Sequence, residues 1–273
     1  MCRPSRAFSV FPMTLTGLTA RQQQTWASGD YGAVAALIHP IAEELVQATD
    51  LSAGARVLDV AAGTGNAAIA AARCRCRVTA TDYVPALLDR AAERAAAEHL
   101  PLETAVADVQ HLPYPDAAFD AVLSVVGAMF APDQEQTAAE LVRVCRPGGT
   151  IAMANWTPEG FIGEMFRTVG RRVPPPPGIR APVEWGNETR LRELLGERIR
   201  IVPRTFVFRF ASPAAFADYF KTYYGPTVKA FEALGDDGKA LHEDLVELAE
   251  RHNVATDGTA RLPAAYVQVL VTR

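Results

Sequence analysis

Cysteine is scarce in this chain and badly placed. Cys2, Cys74, Cys76 and Cys145 are the only four among 273 residues, too few and too unevenly spaced for a disulfide framework. Cys74-Arg75-Cys76 leaves one residue between its thiols where zinc hooks leave two to four, and no second Cys or His pair follows, so no metal is expected. Long apolar runs are missing too. None approaches the roughly 20 residues that a membrane-spanning helix needs, so no membrane insertion is expected. The stretch Met1–Thr14 holds arginines but no sustained apolar core and no cleavage site, which argues against a secretory signal. The expectation is a cytoplasmic protein with residues 1–18 as a mobile leader. Basic charge is not in excess: 27 Lys and Arg stand against 31 Asp and Glu, a net charge of −4, with a pI near 5.8. Such a chain has no general attraction for nucleic-acid phosphates or anionic membranes, and its expected partner is a small or neutral molecule.

What is present is a globular composition, 49% hydrophobic and 21% charged. The length suits one domain with insertions better than two small ones. The expected organisation is a single domain over 19–273: an N-terminal helical cap over 19–50, a ligand-binding core over 51–156, and a substrate half over 157–273 with a helical insertion over 212–258.

The core opens on Val57-Leu58-Asp59-Val60-Ala61-Ala62-Gly63-Thr64-Gly65-Asn66, followed by the small apolar run Ala67–Ala72. An apolar run ending in Asp, a Gly-rich turn and an Ala-rich stretch predict strand, tight loop and helix. Gly63 and Gly65 let a ligand lie on the loop backbone, where a helix N-terminus offers free N–H groups. Further strand ends follow at Val78–Asp82, Val106-Ala107-Asp108 and Phe119–Ser124, and Arg146–Thr150 turns into a fifth strand. Pro85 starts a helix with the stripe Leu87, Leu88, Ala91, Ala92 and Ala95. At the second strand end, the Asp82 carboxylate can accept from two ribose hydroxyls. At the third, the Asp108 carboxylate can accept from a ligand's N–H or O–H while the Val109 N–H donates.

As a series, Arg56 to Trp156 resembles the class I S-adenosylmethionine-dependent methyltransferases. Asp108 to Pro113 resembles the Asp-x-x-x-Leu-Pro pattern of their ubiquinone and menaquinone branch. The resemblance implies an α/β fold: a Rossmann-like, doubly wound, mostly parallel seven-stranded sheet with an antiparallel last strand. It implies S-adenosyl-L-methionine as cofactor, held by Trp26, Tyr31, Asp59, Ala61, Gly63, Gly65, Asp82, Tyr83, Asp108, Val109, Ser124 and Val125. Three departures stand out. Ala61 occupies the first position of the Gly-x-Gly-x-Gly loop, the third strand lacks a Gly before Ala107-Asp108, and the acceptor side carries no diagnostic motif.

The flanks supply the rest. From Thr19 to Thr49 the pattern is helical, broken at Ser28–Tyr31, with Val34, Leu37, Ile38, Ile41, Ala42, Leu45 and Val46 at helical spacing; by the resemblance these helices close over the cofactor. His39 before Pro40 reads as a helix kink. After the fourth strand, Ser124–Phe130 lacks the Asn/Asp-Pro-Pro-Tyr/Phe of DNA and protein-glutamine N-methyltransferases, which argues against exocyclic amines of nucleic acids as acceptors. Met129 and Phe130 are candidate walls of the transfer site. Pro174–Pro177 predicts an extended connector, and Glu188–Leu195 a helix ending at Gly196. Ile199–Phe210 and Ala264–Thr272 alternate as strands. Between them Phe216, Tyr219, Phe220, Tyr223 and Tyr224 read either as core or as the lining of a lid. The candidate acceptor contacts are Met129, Phe130, Trp156, Phe220, Tyr223 and Tyr224. His242 and His252 are expected to face solvent.

The function expected is methyl transfer by in-line displacement to a small hydrophobic or aromatic acceptor such as a natural product, quinone precursor or lipid. A base, where needed, is sought among Tyr31, His111 and Tyr223. The alternatives are a cofactor-binding protein without transfer, a non-methylating enzyme using the same cofactor, and a nicotinamide oxidoreductase. The last predicts a Tyr-x-x-x-Lys pair, which the sequence lacks. The oligomeric state stays open, a homodimer included.

Overall fold

The computed structural model describes residues 15–273. Its frame is a seven-stranded sheet built from β1 (Arg56–Val60), β2 (Arg77–Asp82), β3 (Glu103–Val106), β4 (Phe119–Val125), β5 (Cys145–Trp156), β6 (Ile199–Phe210) and β7 (Ala260–Thr272). The spatial order is β3-β2-β1-β4-β5-β7-β6. The first five strands pair in parallel, and β7 inserts antiparallel between β5 and β6. β1 is buried along Val57–Val60, as a strand covered by helices on both faces must be.

Three helices precede the sheet: α1 (Leu15–Trp26), α2 (Tyr31–Leu37) and α3 (His39–Thr49). The leader expected over 1–18 lies outside the described residues up to residue 14, and Leu15–Leu18 already belong to α1. Asp30 starts α2 by accepting from the Gly32 N–H at 3.1 Å, and Pro40 at the first turn of α3 starts a new helix after the break at Ile38. The buried stripe Ile41, Ala42, Leu45 and Val46 packs α3 against α4 (Asn66–Arg73) and β5.

The remaining helices are α5 (Pro85–Ala97), α6 (Gln134–Val144), α7 (Phe161–Arg172), α8 (Glu188–Leu195), α9 (Pro213–Tyr223), α10 (Gly225–Leu234) and α11 (Gly238–His252). α9, α10 and α11 are the insertion between β6 and β7. They pack on one another and on α7 and α1, so the insertion and the N-terminal helices stand on the same side of the sheet's end. The two histidines of α11, expected to face solvent, are partly exposed and each meets a carboxylate. His242 Nε2 meets Asp218 at 2.9 Å, and His252 Nε2 meets Glu164 at 3.2 Å with its ring against Phe161, because α11 packs along α9 and α7.

β1 lies between β2 and β4, so the connections leave it in opposite directions. In an open α/β sheet the crevice beyond the carboxyl ends of such a pair is where ligands bind.

Candidate active site

A cleft of about 580 Å³, counted out to its open mouth, lies at that crevice. Its floor is the ends of four strands: Ala61 and Gly63 after β1, Asp82 and Tyr83 at β2, Ala107–Gln110 after β3, and Val126-Gly127 after β4. Its roof is Thr19, Gln22 and Trp26 of α1, with Tyr31 at the start of α2. The Gly63 backbone passes so close under Tyr31 that a Cβ on Gly63 would stand 2.9 Å from the ring.

Two carboxylates are shut into this floor. Asp59 accepts from the Ala68 N–H at 2.8 Å, and burial pushes its pKa up to about 8, the N–H opposing and the charge of Asp82 adding to the rise. Asp82 accepts from Gly63 N–H and Val84 N–H, both at 2.9 Å, and burial raises it also, against the pull of those N–H groups. Desolvated carboxylates with lone pairs to spare suit a ligand that brings hydroxyl donors and positive charge. Asp108 takes the Gln110 N–H at 2.9 Å and its side-chain amide at 3.0 and 3.1 Å. Val126 has φ +52° and Ala61 φ +48°, a left-handed backbone that costs a β-branched residue most and gathers at functional sites.

Behind Trp26 and Tyr31 lies a second space of about 340 Å³, likewise counted out to its open mouth. Trp26, Tyr31, Val126 and Phe130 line both spaces and form the passage between them. The inner chamber continues with Trp156 at the end of β5, Ile162, Met165 and Phe166 on α7, Phe208 on β6, and Phe220 and Tyr224 of the insertion. Trp26 holds its centre, edge-to-face with Tyr31, Phe130 and Tyr224 at ring distances of 5.4, 4.8 and 5.6 Å. A small recess lined by Asp59, Asn66 and Val125 adjoins Tyr31.

Several expected site residues sit elsewhere. Gly65 lines none of these spaces: at φ +81°, its Cβ would come 2.8 Å from Ala91, so it lets α4 and α5 pack closely. Ser124 is buried and its Oγ accepts from the Ala128 N–H at 2.8 Å, fixing the turn after β4. Met129 is core. Tyr223 lines none of these spaces and packs against Tyr219, ring centres 4.7 Å apart and planes tilted by 57°. The reason is helical phase. Phe216, Phe220 and Tyr224 recur at i, i+4 and i+8 and share the buried face, while Tyr219 and Tyr223 form the neighbouring stripe. His111 is exposed and Gln110 turns inward in its place. Thr19, Gln22, Leu87 and Gln110 line the cleft without having been foreseen. Only the helical spacing of Thr19, Gln22 and Trp26 could have signalled that one face of α1 looks inward.

A family model described as a methyltransferase domain matches residues 58–153. Over 247 residues the chain is 42% identical to an uncharacterised protein of Mycobacterium tuberculosis, covering 86% of this chain and 89% of that one. It is 37% identical over 142 residues to the demethylmenaquinone methyltransferase of Deinococcus radiodurans, covering 50% of this chain and 59% of that one. Among solved structures, the YcgJ protein of Bacillus subtilis shares the fold at a TM-score of 0.59 and 16% identity, covering 86% of this chain and 99% of that one.

Proposed function

The chain belongs to the class I S-adenosylmethionine-dependent methyltransferases, and from that premise we propose that it methylates a small hydrophobic or aromatic acceptor seated in the inner chamber. The observation that carries this is the lining of the chamber: aliphatic and aromatic side chains throughout, with no charged residue. Apolar pockets with few polar groups take ligands of matching character. The demethylmenaquinone methyltransferase similarity supports the same direction, toward flat, apolar acceptors such as a quinone precursor.

In this reading Asp82 accepts from the ribose hydroxyls, and Asp108 with the Val109 N–H meets the adenine. Gly63 keeps the loop backbone open to the cofactor, and Asp59, in the recess beside Tyr31, faces its cationic methionine end. Bound S-adenosylmethionine supplies a methyl group already activated on a sulfonium. The chain's own task is alignment and exclusion of water, since no nucleophilic side chain is required. Trp26, Tyr31 and Phe130 screen the passage from solvent and hold the acceptor in line with the cleft.

The test is calorimetric titration with S-adenosylmethionine, S-adenosylhomocysteine, NAD and NADP, followed by a mass-spectrometric screen for methylated phenols, quinols and fatty acids. Binding of the first two alone and turnover of an apolar acceptor are expected. Turnover confined to polar or charged amines would overturn the acceptor class.

A further inference from the structure

The inner chamber is rich in donors. Apart from the thioether of Met165, its polar side-chain atoms belong to Trp26, Trp156, Tyr31 and Tyr224: the two indoles only donate, and the two hydroxyls donate and can also accept. No carboxylate, imidazole or amide carbonyl faces it. Neither the Tyr31 nor the Tyr224 hydroxyl has a hydrogen-bond partner among the described residues, although Tyr224 is only 6% exposed. Neither hydroxyl oxygen is fully shut away, so a ligand oxygen can reach it and take a hydrogen bond that the chain itself leaves unmade. The two rings flank the same indole of Trp26.

We propose that Tyr31 and Tyr224 form an oxyanion seat, and that the acceptor is an apolar molecule methylated on an ionised oxygen, phenolate or carboxylate. This rests on the apolar-acceptor reading above and adds the acceptor atom. Burial raises the pKa of both phenols, and the charges of Asp82 and Asp59 raise that of Tyr31 further. Both therefore stay protonated and donate; neither serves as a base. An amine would enter as ammonium and find no carboxylate in the chamber, only the two hydroxyl oxygens and the ring faces to meet its charge. An oxyanion finds two donors, and the cofactor's positive charge offsets Asp59 and Asp82. Transfer then balances without a base. An oxygen lone pair forms the bond to the methyl carbon, the electron pair of the breaking carbon–sulfur bond stays on sulfur, and the two opposite charges cancel. No proton leaves.

The experiment measures binding to the protein saturated with sinefungin, an analogue that carries an ammonium where S-adenosylmethionine carries its sulfonium, using matched probes: 4-nitrophenolate against nitrobenzene, decanoate against decanol, and decylamine. Phenolate binding is read by its absorbance shift. At least one anion should bind about tenfold or more tighter than its neutral partner, and Tyr224→Phe should remove most of that preference. S-adenosylhomocysteine affinity, which reports an intact cleft, should hold, since Tyr224 does not line the cleft. Tyr31→Phe keeps the ring over Gly63 and is the second variant should Tyr224→Phe fail to fold. Whether phenolate or carboxylate gains identifies the source of the oxygen. A preference for decylamine, or an anion preference that survives both Phe variants, overturns the seat. Neutral probes binding without any anion preference sink this inference alone; no binding of any apolar probe sinks the acceptor class beneath it.

Discussion

Asp59 shows how one buried carboxylate ties the site to stability. Its pKa in the folded protein, about 8, stands above its ordinary value of 3.8. The native state therefore holds more protons than the unfolded state between those values, and stability of the ligand-free protein falls as pH rises through that window, then levels off. Asp82, raised in the same direction, adds to the slope. Thermal melts from pH 5 to 9 should show this decline, flattened in Asp59→Asn; an unchanged slope would remove Asp59 as its cause. A cationic cofactor favours the ionised carboxylates, so its binding should release protons near neutral pH and tighten toward pH 8. Calorimetry in buffers of different ionisation enthalpy reads that release directly. Asp82→Ala should weaken S-adenosylhomocysteine binding by about 1.5–3 kcal/mol, the loss expected for hydrogen bonds to a charged acceptor. Unchanged affinity in a folded variant would take Asp82 out of the site. The strand-end acids were legible because each closes an apolar run. Tyr224 and Tyr223 were not separable, because adjacent residues at a helix end diverge by about 100°, and the face that turns inward is chosen by packing.

At the scale of elements, α1 behaves as a strap. Its side chains cross the cleft: the Gln23 amide reaches the Tyr83 carbonyl and Thr19 Oγ1 lies 3.3 Å from the Gln110 amide. What holds it down is the insertion. Gly225, at the start of α10, sits so tightly under α1 that a Cβ would stand 2.2 Å from the Thr25 carbonyl oxygen, and Asp30 N–H donates to the Tyr223 carbonyl at 3.1 Å. Gly225→Ala should therefore push α1 away, at about 1–3 kcal/mol of stability. S-adenosylhomocysteine should dissociate faster in stopped-flow measurements while its association rate is preserved. An unaltered release rate would show that α1 does not gate the cleft. The strands and helices themselves were largely readable: β6 and α8 match the ranges expected from alternation and from the Gly196 boundary, and Asn187 adds a cap by accepting from the Arg190 N–H. β7 begins earlier than expected, at Ala260, because Pro263 breaks the pattern yet pairs opposite Val207, and Asn253 Oδ1 takes the Arg261 N–H at 2.8 Å. The docking of α1 was not readable, since it depends on α10, about 200 residues away in sequence.

The whole molecule assembles the chamber from parts that no local pattern links: the first helices, the ends of β4 and β5, α7, and the insertion. On the proposed function, acceptor choice resides in contacts between these parts, while cofactor binding resides in the strand ends beneath them. Phe166 separates the two best. It is only partly buried, it lines the chamber and not the cleft, and its ring meets Phe130 at 5.9 Å where chamber and cleft join. Phe166→Ala should enlarge the chamber, and Phe166→Trp should narrow it. Across a series of para-alkylated phenols the Ala variant should shift the best kcat/KM toward longer chains and the Trp variant toward shorter ones, by about tenfold or more at the extremes, since each buried methylene is worth about 0.8 kcal/mol. S-adenosylhomocysteine affinity should stay within about twofold in both. If the two variants moved size preference in the same direction, or changed cofactor affinity as much as acceptor use, the division of labour between strand ends and assembled chamber would be wrong. The acceptor would then have to meet the methyl group in the outer cleft, under Thr19 and Gln22.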